Sequence, residues 1–339
     1  MLRTPSTTTR SLPSPKPQGG RRGGLRYALG LAAASAVLNV GCLKQLILEG
    51  QIESTRNASV EINTIPDYEV AEKIAMAGLG QLEGYHFLAK DNENALFLLT
   101  RSWASVSFGF IEDEMERAED AEGSGPNWDY HKRRAEAAYD RSLYFGIMLL
   151  EQTAPNFKDH LTNEASLKKY LEAFDEPEQA ETLFWVGYAW LGRVNVAKEK
   201  TALVGEAWVG AAIIERSLAL DPTFLHGSGY TALGSYHART PMAELDEAKS
   251  DFDKALAASD GKMLMPKVQL AIRYYCNKPD DEKSGYVKAD EGKKQYVKLL
   301  EEVLAAGDGD PYQRLANTIA KRKAKRWLGK ERMRANCGF

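Results

Sequence analysis

"FLHGSGYTALGSYHARTPMAELDEAKSDFDKALAAS", residues 224–259, is the stretch that decides the fold. Its second half carries Ala248-x3-Phe252-x2-Ala255, a small–large–small set at the three- and four-residue spacing that shares one helix face. A ring between two alanines fills a gap in a facing helix, and the alanines let the two backbones come close. The first half supplies that gap at Leu233-Gly234. Two short helices folded back on one another are therefore expected, and the same pattern is to be sought elsewhere in the chain.

A second copy closes with "GAAIIERSLALDPTF" (210–224), where Gly210-x3-Ile214-x2-Ser217 repeats the spacing and Pro222 follows. Asp221 is placed to cap the helix after it. The partner helix is "AETLFWVGYAWLGRVNV" (180–196), with Gly187 as its small residue, and residues 197–207 separate the two. These spacings are those of degenerate tetratricopeptide-like helix pairs, which stack into an α-solenoid or helical superhelix with a concave binding face. An irregular helical bundle is the alternative. From Pro66 onward the periodicity is helical throughout, with breakers at 122–126, Pro155, Pro177, Pro241, Pro266, 277–281 and 307–311. The expectation is an all-α repeat domain over 66–334 and a short tail at 335–339.

Residues 1–41 differ from the rest. They hold six basic residues and no acid, while the remaining 38 basic residues face 47 acidic ones, a net of −9. An acidic body is a poor match to a phosphate backbone. Tyr27–Val40 is apolar but, at fourteen residues, shorter than the roughly twenty a spanning helix needs, so it reads as the core of an export signal. "NVGC" then resembles a bacterial lipobox, although Asn39 stands where Leu is usual. The expectation is a signal peptide over 1–41, acyl chains on Cys42 and a tether over 42–65; a plain secretory signal, or a buried Cys after a short anchor, is the alternative. Several acyl chains supply stable anchoring where one does not. Cys276 and Cys337 are too few for a disulfide framework, and Cys276 reads as a small packed residue.

Four stretches in order, "FWVGYAWLGRVNVAKE" (184–199), "IERSLALDPTFLHGSGYTALGSYHAR" (214–239), "AKSDFDKALAAS" (248–259) and "RLANTIAKRKAKRWL" (314–328), resemble the TatT component family of TRAP transporters. The matching positions are Trp185, Gly187, Trp190, Asn195, Asp221, Pro222 and Asn317. The resemblance implies a periplasmic lipoprotein of the bacterial cell envelope. It also implies association with the periplasmic TRAP substrate-binding protein, in support of uptake of a small, hydrophobic organic acid. A homo-oligomer, such as a trimer, is implied as well. A tetratricopeptide scaffold for another envelope assembly, in secretion or outer-membrane biogenesis, is the competing reading.

No catalytic motif, cofactor loop or metal spacing stands among His86, His131, His160, His226 and His237, so neither an enzyme nor a cofactor is expected. His226 and His237 are expected on one helix. Aromatic residues crowd the two best repeats, and most can be assigned to the core. Trp185, Tyr188, Trp190, Trp208, Tyr230 and Tyr236 are the candidates for a partner- or ligand-binding face, because rings cover area with little rotamer entropy to lose. Arg193 and Asn195 are the candidates to hold a carboxylate. Two charge runs remain. "EDEMERAEDAE" (112–122) reads as a solvated acidic face. "LANTIAKRKAKRWLGKERMR" (315–334) reads as an amphipathic closing helix whose basic side is wet.

Overall fold

The computed structural model describes residues 43–239, 243–276 and 289–339. The export signal expected over 1–41, Cys42, Pro241 and the breaker at 277–281 lie outside the described residues. The chain divides into two units, Met1–Gly50 and Gln51–Phe339. In the first, residues 43–50 are helical. In the second, every regular element among the described residues is a helix.

The helices start where the sequence provides caps. Asp67 accepts from Val70 N at 3.0 Å to open α1 (Tyr68–Leu88). Asn92 does the same for Ala95 N, at 3.0 Å, and opens α2 (Glu93–Val106). The chain then widens into a π turn at Ser107–Ile111 and continues as α3 (Glu112–Glu122), which stops at Gly123. Pro126 in the first turn starts the longest helix, α4 (Pro126–Thr153). Next come α5 (Glu164–Leu171), α6 (Ala180–Val196) and α7 (Ala207–Leu220), with one helical turn at Thr201–Val204. Helices α8 (Ser228–His237) and α9 (Leu245–Ser259) follow. The α10 run (Met265–Gln269, then π turns to Tyr275) precedes α11 (Ala289–Ala305) and α12 (Arg314–Trp327). A last turn at Lys330–Arg332 widens into π geometry over Met333–Cys337.

Helix α6 packs most extensively on α7, α2 on α4, and α8 on α9, while α4 also packs on α6. Small residues set the closest crossings. A Cβ on Gly187 would meet Ile214 Cγ1 at 2.8 Å and the Gly210 carbonyl at 2.9 Å, and one on Gly210 would meet Leu191 Cγ at 2.9 Å. Gly234 faces the Phe252 ring at 3.0 Å, with Ala248, Phe252 and Ala255 fully buried and Leu233 buried beside them. Ser217 is buried and donates to the Ala180 carbonyl at 2.7 Å, tying the end of α7 to the start of α6. The main core lies between α1 and α7 around Tyr139, Phe157, Leu183 and Val186; a second cluster around Tyr296, Leu300 and Ala320 joins α10 to α12.

Three expectations change. Asp221 does not cap the following helix: its carboxylate accepts from Thr223 N at 2.8 Å and Thr223 Oγ1 at 2.7 Å, closing a local turn before α8. Leu225, His226 and Gly227 then take left-handed conformations, so His226 sits in the turn and does not share a helix with His237. His237 instead bonds Asp251 Oδ2 at 2.9 Å, joining α8 to α9. Finally, Cys276 is not a lone packed residue. It forms a disulfide with Cys337, which pins the C-terminal segment against the α10 run.

Candidate functional site

A cavity of about 1990 Å³ lies within Gln51–Phe339. Helix α6 shows how the sequence builds its wall. Trp185, Tyr188, Gly192 and Asn195 recur at three- and four-residue spacing, and all line the space. Tyr188 stacks on Phe184 with ring centroids 5.5 Å apart, and meets Trp185 edge-on at 5.8 Å. Phe108, carried by the π turn after α2, meets the same Tyr188 edge-on at 5.7 Å. Trp208 of α7 and Tyr236 of α8 extend the aromatic wall, and Ile272 and Ile319 add aliphatic surface. At Gly192 an added Cβ would lie 2.4 Å from the Tyr139 ring, so the missing side chain makes room for a buried tyrosine.

The sequence-derived candidates do not all meet there. Trp185, Tyr188, Asn195, Trp208 and Tyr236 line the cavity; Trp190, Arg193 and Tyr230 do not. At 3.6 residues per turn, Trp190 lies about 200° round the helix from Tyr188. It is buried, packs on Phe157 and donates from its indole to the Glu206 carbonyl at 3.1 Å. Arg193, one turn on, sits over the Trp190 ring and pairs with Glu206 at 2.8 Å and Asp140 at 3.6 Å. Its guanidinium is committed to that pairing. Asn317, shared with the family pattern, is structural: it accepts from Leu264 N at 2.9 Å and donates to the Lys262 carbonyl at 2.8 Å.

Other charged side chains line the cavity that local sequence did not mark. Glu112, Lys198, Arg273 and Arg101 are on its wall. Glu112 accepts a hydrogen bond from the buried Tyr139 hydroxyl, and burial pushes its carboxyl up, against the opposing charge of Lys323. Arg101 donates to Ser59 Oγ, and burial brings its guanidinium down to about 10, helped by the like charge of Arg56. Among the described residues, no set of three or more His, Cys, Asp or Glu side chains is arranged to hold a metal ion.

The two charge runs are not wet faces; they meet. Asp113, Glu116, Lys323 and Arg332 are all buried. Lys323 pairs with Glu116, Arg322 with Asp113 at 3.0 Å, and Arg326 with Asp113 and, at 3.2 Å, with Glu116. Arg332 continues the seam to Asp120 at 2.6 Å and Glu119 at 2.9 Å. Lys325, Lys330 and Arg334 are the exposed remainder of the basic run. Burial enforces the match, because an unpaired charge in the interior costs far more than one in water. The seam docks α12 on α3, the helix that also presents Glu112 to the cavity.

A family model described as TRAP transporter T-component matches residues 65–333. No curated protein matches the chain. Among the described residues, no helix is long and apolar enough to cross a membrane.

Proposed function

Since this chain belongs to the TRAP transporter T-component family, we propose that it docks the transporter's periplasmic substrate-binding component and hands on a small, apolar organic acid. Family membership itself gives an accessory role in such a transporter, in association with its other components at the cell envelope. The observation that carries the ligand part is the aromatic-walled cavity of about 1990 Å³, well above the roughly 300–1,000 Å³ of a drug-sized site. The close α6–α7 and α8–α9 crossings at Gly187, Gly210 and Gly234 support a degenerate tetratricopeptide-like arrangement. Acyl chains on Cys42 would hold the protein at the membrane, and a trimer is the assembly the family resemblance favours.

The test is affinity capture of the full chain from detergent-solubilised envelope, with mass spectrometry of what comes with it. The substrate-binding component is the expected partner. Recovery of secretion or outer-membrane assembly proteins in its place would overturn the reading in favour of a general scaffold. In parallel, Cys42→Ser should move the protein from the membrane to the soluble fraction.

A further inference from the structure

The cavity wall carries more positive charge than the protein neutralises. Lys198 lines it and, among the described residues, makes neither a hydrogen bond nor an ion pair. Its side chain is exposed, yet it lies deep enough for the Arg273 charge and burial together to bring it down to about 8. Arg273 is enclosed by protein and partly open to the same space. Its one hydrogen bond among the described residues is from Nε to Gln269 Oε1, at 3.3 Å. Glu112 is the cavity carboxylate that both cations feel, and it already accepts from Tyr139. Glu116, which Arg273 also feels, is committed to Lys323 and Arg326, and Glu119, which Lys198 also feels, is committed to Arg332. Two cations thus face one acid that no ion pair already holds, and the balance wants a single negative charge from outside.

We propose that Lys198 and Arg273 form a carboxylate subsite in the cavity, and that its ligand is an amphipathic monocarboxylate whose apolar chain lies along the Phe108–Tyr188–Trp185 wall. This rests on the cavity being a ligand site, as argued above, and adds where the head group sits and what it is. The two Nη groups of Arg273 present a planar fork suited to a carboxylate, while Lys198 supplies a point charge. Arg193, the cation that local sequence favoured for this task, is taken by Glu206 and Asp140.

The experiment is calorimetric titration of the full chain with dodecanoate and, in parallel, dodecanol. Dodecanoate should bind at least tenfold more tightly than dodecanol. Lys198→Met and Arg273→Met should each weaken dodecanoate at least tenfold and leave dodecanol within about twofold, in protein whose helical circular dichroism is unchanged. Equal binding of acid and alcohol, or a folded Lys198→Met that binds dodecanoate like the parent, would overturn the subsite and leave the cavity reading standing. If neither compound binds the parent chain, the cavity reading falls and the subsite with it. Should Arg273→Met fail to fold, Lys198→Met decides the outcome alone, because Lys198 has no partner whose loss would unfold the site.

Discussion

At Lys198 two influences act together: the Arg273 charge and burial bring its ammonium down to about 8. Glu112 and Glu119 face it from α3, and Arg273 from the α10 run. An anion favours the charged amine, so the value in the free protein sets where affinity begins to fall. Dodecanoate affinity should be level below about pH 8 and fall by up to tenfold per unit above it. Glu112, whose carboxyl burial pushes up, faces the same site. Tyr139 and Tyr188 are pushed well above the ordinary phenol value, chiefly by burial, and stay neutral across this range. Titrations from pH 6 to pH 10 check it, and Lys198→Met should flatten much of the fall. Trp185 and Tyr188 were legible beforehand as one helix face because they stand three residues apart. Lys198 was not, since "AKEK" falls in the stretch that separates the two paired helices and nothing local says a cavity lies beneath it.

Between elements, the α3–α12 seam joins buried charges that lie more than 200 residues apart in sequence. Lys323→Met would leave Glu116 buried beside one fewer cation, and breaking a buried pair this way costs about 3–5 kcal/mol. Urea denaturation should show that loss, and the double variant Glu116→Leu with Lys323→Met should recover most of it. Equal stability of the single variant and the parent would mean that the seam contributes nothing. The seam also sets an acid limit. Burial would raise the Asp113 and Glu116 carboxyls, but hydrogen bonds and charges from Arg326, Arg322 and Lys323 outweigh it and hold both below the ordinary value. A depressed carboxyl contributes stability that is complete above its unfolded value, about 4, and is lost as pH falls through the lower folded value. The denaturation midpoint should therefore drop below about pH 4, and drop less in the double variant. Each run looked wet when read alone. Sequence shows that a helix has a charged face but not whether another helix of opposite sign covers it.

For the molecule as a whole, the Cys276–Cys337 disulfide closes a loop across a sequence separation of 61. The chain-entropy relation assigns such a closure about 4 kcal/mol. Reduction, or Cys337→Ser, should lower the melting temperature and loosen the C-terminal segment first; calorimetry with and without a thiol reductant measures this, and an unchanged transition would contradict it. A structural disulfide suits an oxidising compartment, as does a transporter component of the cell envelope. The sequence by itself determined that the body is helical, and it marked the small residues at which α6 meets α7 and α8 meets α9. Periodicity and small-residue spacing are local properties, set within one or two turns of the chain. Only the tertiary structure decided that the acidic and basic runs cancel, that two cysteines join, and that Lys198 and Arg273 share a cavity with Glu112. Lys323 and Glu116 stand 207 residues apart, and no local spacing rule reaches across that distance. Burial selects those partners once the helices have packed.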